Sequence, residues 1–381
     1  MPEKRNLPII HDQSQNFTGT VSTLRVVEVD SQTDSRWEAL VSSLPSGLIY
    51  HHPAWLQVLE EAYGYQPVNL ACEDAKGQLR GVLPLFSMQG LFTGRRFVSL
   101  PRTPVAGPLA YDDQARVALL HAAVERVREE RGAQLQLKVS ANTLDGLVEG
   151  VVGVPWRESY MLALPEQPAL LRIGNSRNHS RIRWAINKAT RLGVEVRPAE
   201  TERELRAWYE LYLGTMRGLA VPPRPYRFFE VAWARLQPLG LMRLLLAERH
   251  EAGRSRLLAG SLFLMFGHTF FYAFTGWRRE DLSLRPNDVI QWQAIHDACT
   301  EGYRYYDFGE VEENNLGLAD FKTKWGAELK QLYRYYYPTP RELELGILES
   351  SSRSRQLASA VWKRLPIKAT VLLSGWLHHY F

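Results

Sequence analysis

The stretch Leu258-Ala259-Gly260-Ser261-Leu262-Phe263-Leu264-Met265, with the turn Gly267-His268 and the return Thr269-Phe270-Phe271-Tyr272-Ala273-Phe274, decides how this chain folds. Two apolar, aromatic-bearing runs separated by a glycine turn read as paired strands. Past Arg285-Pro286-Asn287 the pattern becomes a helix over Val289 to Thr300, and after Gly302 a strand resumes over Tyr303 to Phe308. The same order occurs upstream. A strand over Leu79 to Phe86 leads through a Gly/Pro-rich connection at Gly94 to Pro108 into a helix over Arg116 to Glu130, then Gly132 and the alternating strand Gln134 to Val139. A mixed α/β unit used twice fits that order better than a barrel or a bundle.

A helical region lies between the two units. Ser176 can cap a helix over Arg177 to Leu192, with Gly193 as its left-handed stop and Ile182, Ala185, Ile186 and Ala189 as its buried stripe. Thr201 and Glu204 form a capping box for the next helix, and Pro222-Pro223 closes that segment. An antiparallel pair, Met242 to Ala247 and Arg256 to Phe266, then enters the second unit. The expected division is a polar arm over 1–20, a first domain over 21–165, a second over 166–340 and a tail over 341–381.

The 381 residues are 45% hydrophobic and 23% charged, which excludes a disordered or fibrous chain. Lys and Arg outnumber Asp and Glu by 46 to 41, a balance suited to anionic ligands. Cys72 and Cys299 are too few and too isolated for a disulfide framework or a zinc cluster, and read as packing thiols in a reducing compartment. The scattered histidines lack metal-site spacing, so no catalytic metal is expected. With neither a secretory signal nor a membrane-spanning run, the expected location is the cytoplasm.

Two features suggest chemistry. Between residues 172 and 197, Arg172, Arg177, Arg181, Arg183, Lys188, Arg191 and Arg197 meet a single acid, Glu195. On a helix, Arg177, Arg181, Lys188 and Arg191 share a broad face that can bind phosphates, or be simply solvated. Downstream, the strand ending in Asp307-Phe308-Gly309 runs into a loop of acids and amides and then a short helix bearing Phe321-Lys322. Asp307, Glu310, Glu312, Glu313 and Asp320 are all candidate general bases or capping groups. The final 31 residues carry Arg353, Arg355, Lys363, Arg364 and Lys368 with aromatics and no acid. Such a basic amphipathic tail can lie at an anionic membrane surface or dock on its own domain.

Four passages together carry a family resemblance: His52-Pro53-Ala54-Trp55 with Gly64-Tyr65-Gln66-Pro67; Gly81 to Leu85 with Ser99-Leu100-Pro101 and Gly107-Pro108; Arg181 to Ala189 with Gly193-Val194; and Asp307-Phe308-Gly309 through Phe321-Lys322 to Trp325-Gly326. Over about residues 45 to 337 the chain resembles the Fem-type aminoacyltransferases and related N-acyltransferases built from two acetyltransferase-like (GNAT) domains. The resemblance implies two tandem GNAT-like domains with a C-terminal amphipathic tail. It implies transfer of an aminoacyl group from aminoacyl-tRNA, or an acyl group from acyl-CoA, to an amine of a nucleotide- or lipid-linked cell-envelope precursor, with no tightly bound cofactor. Carried over by position, Phe321 and Lys322 lie near the transfer site, and Lys322 would stabilise an oxyanion or an RNA phosphate. Arg217 would hold an acceptor diphosphate, or else offset its helix dipole. Asp307 would be the base, while Arg177, Arg181 and Lys188 would guide the donor. The coiled-coil arm of some Fem enzymes is missing. Where a CoA-binding acetyltransferase has a Gly-rich turn, this chain reads Leu284-Arg285-Pro286-Asn287-Asp288, leaving Arg285 and the helix start for a phosphate. The alternatives are an acyl-CoA-dependent enzyme of exopolysaccharide or lipid biosynthesis and a non-catalytic module that binds RNA or membrane.

Overall fold

The computed structural model describes residues 24–89, 94–251, 253–312 and 315–341, together with Trp362, Leu365, Pro366, Ala369, Thr370 and Leu373. The polar arm and nearly all of the basic tail lie outside these residues. The first half runs β1 (Arg25–Glu28), α1 (Ser35–Ser43), α2 (Pro53–Tyr63), β2 (Gln66–Pro67), β3 (Leu70–Glu73), β4 (Leu79–Leu83), β5 (Phe86–Gln89), β6 (Arg95–Ser99), β7 (Leu109–Ala110), α3 (Asp113–Arg128), β8 (Gln134–Val139) and β9 (Val152–Ala163). The second runs α4 (His179–Arg191), β10 (Val194–Pro198), α5 (Glu202–Leu219), α6 (Tyr226–Leu236), β11 (Met242–Glu251), β12 (Arg254–Phe266), β13 (Thr269–Trp277), α7 (Pro286–Thr300), β14 (Tyr305–Val311), α8 (Leu316–Thr323) and β15 (Glu328–Tyr337).

The repeat is real, and it extends to strand pairing. In the first half β6 and β8 pair in parallel with α3 between them in sequence; in the second, β13 and β14 pair in parallel around α7. A parallel neighbour requires such a crossover, which is why each unit has its long helix at that point. The last strand of each half then crosses over. β9 leaves the first half to pair with β14, while β15 returns from the second half to pair with β8, and β9 and β15 pair with each other. The result, among the described residues, is one sheet of eleven strands in the order β10-β11-β12-β13-β14-β9-β15-β8-β6-β5-β2, beside a small sheet β1-β3-β4-β7.

A shared core reinforces this joint. Trp37, Trp55 and Leu59 from the first half pack in one buried cluster with Trp208, Phe228, Phe229, Leu262 and Phe271 from the second. Trp55 meets Phe228 edge to face at 5.9 Å between ring centroids. Such pairs contribute beyond the area they bury.

Local sequence signals account for most element ends. The Thr201/Glu204 capping box forms at the start of α5, and Gly193 takes a left-handed conformation after α4. α4 itself begins at His179, two residues later than the Ser176 cap predicts. Asn175 is the reason: its Oδ1 accepts the Asn178 N–H at 2.9 Å, so the chain turns before it coils. The strand expected over Leu79 to Phe86 divides at Pro84, with β4 in the small sheet and β5 in the large one. A proline cannot donate to a ladder, so the chain changes sheets there.

Helix α5 lies against β13 with no room between backbones. A Cβ at Gly276 would stand 2.4 Å from the Tyr212 backbone nitrogen and 2.8 Å from the Leu211 carbonyl carbon. Gly276→Ala should therefore destabilise the fold by about 1–3 kcal/mol, read as a lower denaturation midpoint, whereas Gly214→Ala, whose Cβ would meet nothing within 4 Å, should not.

Candidate active site

Parallel pairing in the second half is short. β13 and β14 are in register only over Thr269–Tyr305, Phe270–Tyr306 and Phe271–Asp307, after which they part. In the first half β6 and β8 pair from Arg96–Gln134 to Ser99–Leu137 and then also part. Both notches open into one cavity of about 800 Å³. Tyr272 to Thr275 and Phe308 to Glu310 line it from the second half, Pro101 to Pro104 with Gln136 and Lys138 from the first.

The β14 edge is shaped by a bulge. Its pairing with β9 shifts between Asp307 and Glu310, and Gly309 takes φ +75°, a conformation glycine adopts without strain. The half-buried Asp307 serves this bulge: its Oδ1 accepts the Gly309 N–H at 2.7 Å and the Ser159 hydroxyl at 3.2 Å. Burial raises its carboxyl pKa. Lys322, 3% exposed, holds the other side, its Nζ donating to the carbonyls of Gly309 at 2.8 Å and Glu310 at 3.0 Å. Loss of hydration lowers its pKa to about 8, opposed by the charges of Asp307 and Glu310. An ammonium has three N–H donors, so the third remains for a ligand in the cavity that Lys322 lines.

Phe321 lines the cavity beside Lys322, and Lys324 fixes this corner: its Nζ lies 4.4 Å from the Phe321 ring centroid while donating to Asp288 at 2.6 Å. Asp307 is not among the lining residues; the carboxylate that is among them is Glu310, paired with Arg157 at 2.5 Å. Glu312 also binds Arg157, at 2.7 Å, and Glu313 lies outside the described residues.

The basic helix and the cavity are separate features. Among the described residues Arg177, Arg181, Lys188 and Arg285 form no ion pair, and none lines the cavity. Lys188 and Arg285 lie over Trp184, at 5.3 and 5.5 Å from its ring centroid, and that indole is 49% exposed. Arg217, in the last turn of α5, is also outside the lining, although its neighbour Met216 belongs to it.

Sequence reading alone passes over most of the cavity's charge. Arg96, Arg102, Lys138, Arg224 and Arg334 line it together with Lys322, against Glu310. One signal was available: alternation along Gln134 to Val139 puts Gln136 and Lys138 on the same side of β8. Lys138, 6% exposed, donates to the carbonyls of Leu100 at 2.7 Å and Thr103 at 3.0 Å, and burial brings its pKa down to about 7.

These features agree with what the chain is similar to. Residues 176–323 match the family model described as an acetyltransferase (GNAT) domain. The second half is an acyltransferase domain. FemX, a solved structure, shares 17% identity at a TM-score of 0.66, covering 86% of this chain and 100% of that one. The C-terminal domain of a putative lysylphosphatidylglycerol synthetase from Agrobacterium fabrum gives 12% and 0.56, covering 84% and 95%. A Bacteroides thetaiotaomicron protein of unknown function gives 14% and 0.57, covering 82% and 99%. The fold is thus the tandem GNAT-like fold that the resemblance to Fem-type proteins implies. No curated protein matches the chain. Among the described residues no helix is long and apolar enough to cross a membrane.

The two buried lysines make stability depend on pH. Each has a pKa below the ordinary 10.5, so between the folded and ordinary values the unfolded chain binds more protons and stability rises with pH. The denaturant midpoint should increase from pH 7 to 9.5, and the Lys138→Met/Lys322→Met double variant should show a flatter slope.

Proposed function

We propose that the protein is an N-acyltransferase moving an aminoacyl or acyl group from an activated ester or thioester to an amine on a nucleotide- or lipid-linked envelope precursor. The observation that carries this reading is the 800 Å³ cavity, cationic along its walls and open to both parted strand pairs, with Lys322 and Phe321 at its second-half side. The amine nitrogen bonds to the acyl carbon as the carbon–oxygen or carbon–sulfur bond breaks. The proton leaves the amine for Glu310 in the cavity wall, and reaches the departing oxygen or sulfur from there. Lys322 directs its third N–H at the developing oxyanion, its other two resting on backbone carbonyls. Asp307 acts behind the strand as a positioning residue for the bulge. The buried Asn287 Oδ1, which has no protein hydrogen-bond partner and belongs to a lining residue, suits an N–H donor such as the acceptor amine.

Aminoacyl-tRNA is the donor this reading favours. Helix α7 starts at Pro286, which has no N–H, and Asp288 places a carboxylate in its first turn, paired to Lys324. Both features oppose a pyrophosphate at that helix start. The unpaired cations along α4, with Trp184 exposed among them, suit a nucleic-acid backbone instead. Acetyl-CoA, the donor suggested by the domain's description, is the second reading. The names FemX and lysylphosphatidylglycerol synthetase support an envelope or lipid acceptor.

Purified protein supplied separately with charged tRNA and acetyl-CoA, in moderate salt with an amine acceptor, distinguishes these readings. Acyl transfer from charged tRNA is expected, with turnover in Lys322→Met reduced by about 10²-fold. Arg181→Gln/Lys188→Gln should raise KM for the donor and steepen no other parameter. Transfer from acetyl-CoA alone would move the assignment to the acyl-CoA branch; no transfer from either, with nucleic acid bound, would favour a binding module.

A further inference from the structure

Apolar side chains that reach solvent gather at the rim of the cavity. Leu219 (51% exposed), Val221 (45%) and Leu282 (38%) all line it, with Pro222 exposed beside them and Met216 half-buried. The local structure holds them there. Helix α5 ends with Ala220 at φ +58°, and the Val221 N–H returns to the Met216 carbonyl at 3.0 Å, so Leu219 and Val221 sit on a fixed turn. One turn earlier the Thr215 hydroxyl oxygen accepts the Trp277 N–H at 2.9 Å, which ties this helix end to the end of β13. From there the 3-10 turn Arg279–Leu284 carries Leu282. Two segments distant in sequence thus present large apolar side chains around one cavity, and an exposed apolar surface beside a cavity is one that another apolar surface covers.

Charge identifies the cover. Arg217 precedes Leu219 in the last turn of α5, and Arg279 and Arg285 flank Leu282. Among the described residues none of these three arginines has an ion pair, and the neighbouring Asp281 is taken by Arg256 at 2.9 Å. Glu280 is the exposed acid of the same turn. A guanidinium keeps its charge in water while its stem lies along apolar surface. Apolar side chains set between unpaired cations match an anionic bilayer, which offers hydrocarbon beneath a layer of negative headgroups.

We propose that Leu219, Val221 and Leu282, with Arg217, Arg279 and Arg285, form a rim that docks the cavity onto an anionic membrane surface. Docking stands apart from the acyltransferase reading, and only its consequence rests on that reading. An acceptor entering through this rim is a membrane lipid, its apolar part remaining in the bilayer while its amine reaches Glu310 and Lys322 inside the cavity. A nucleotide-linked acceptor would leave the rim's apolar side chains in water. The contact with lipid is thereby assigned to the α5 end and the turn before α7, and not to the basic tail over 341–381.

Flotation of the full chain with phosphatidylcholine vesicles, with and without phosphatidylglycerol, tests docking with no acyl donor present, so its failure is separate from failure of acyl transfer. Binding should require the anionic lipid and weaken as salt is added. Leu219→Ser/Val221→Ser/Leu282→Ser should lower the partition coefficient roughly tenfold or more, and Arg217→Gln/Arg279→Gln should lower it by a similar factor. Leu239→Ser, at a position 60% exposed that does not line the cavity, should bind like the parent. Thermal melting of each variant separates lost binding from lost folding. Because Cys72 and Cys299 are buried, a cysteine introduced at the surface can carry an environment-sensitive dye. The dye on Leu219→Cys and on Leu282→Cys should shift to the blue when vesicles are added, and on Leu239→Cys it should not. Three results would overturn the proposal: vesicle binding that survives the triple serine variant, as docking through the basic tail would give; dyes at 219 and 282 that stay in water while the protein floats; or no vesicle binding at all, as a rim built for a protein partner would give.

Discussion

The crossing of β9 and β15 is the constraint on which the rest depends. Each half ends its parallel pair with an edge that needs a further strand, and each takes that strand from the other half. An unpaired strand edge is a row of unmet hydrogen-bonding groups. By exchanging strands, the two units remove both edges at once and set β9 beside β15 in the middle of a continuous sheet. The two notches are thereby held at fixed separation, since opening the cavity would require breaking ladder hydrogen bonds and the core that Trp55 shares with Phe228.

That rigidity explains how buried cations are tolerated. A flexible wall would let Lys138 and Lys322 reach water, and their pKa values would return towards that of an exposed ammonium. Instead each is tied by two carbonyl bonds, Lys138 on β8 to the segment that follows β6 and Lys322 on α8 to β14. The duplicated notches are nevertheless unlike. In the first half the Ala106 N–H reaches the Lys138 carbonyl at 2.9 Å and Lys138 itself bridges to Leu100 and Thr103, so the gap is crossed by the chain's own groups. In the second half Asp307 and Lys322 hold a bulge that turns β14 towards the cavity. The copies share a topology, but one wall supplies fixed charge and the other presents a shaped edge.

The parts of this arrangement that were legible in the sequence are those set by local rules. Strand and helix order in both units, the α5 capping box and the Gly193 stop depend on residue periodicity and caps, which are written along the chain. Phe321 and Lys322, singled out through the family resemblance, both line the cavity. The strand exchange was not, because β9 and β15 look like ordinary strands and nothing in their composition names the partner. The arginine cluster was hidden for a related reason: Arg102, Arg224 and Arg334 come from three distant segments, and their meeting is a property of the tertiary fold. Asp307, read as a base candidate from its place at a strand end, does not line the cavity, and one of its carboxylate oxygens accepts from a glycine amide and a serine hydroxyl.

The Asp288–Lys324 ion pair ties the start of α7 to the corner at Phe321. A helix start binds pyrophosphate when its amides are free and its field is positive. In this chain Pro286 removes one amide and Asp288 adds an opposing charge, but the carboxylate is also what holds Lys324 over Phe321. A phosphate at the α7 start would compete with Asp288 for Lys324 and loosen the corner that carries Phe321 and Lys322. Positioning the Phe321–Lys322 corner and binding a nucleotide at that helix are therefore alternatives built from one ion pair. The face of α4 that carries Arg181 and Lys188 takes no part in that ion pair, so a ligand held there would leave the Asp288–Lys324 contact intact.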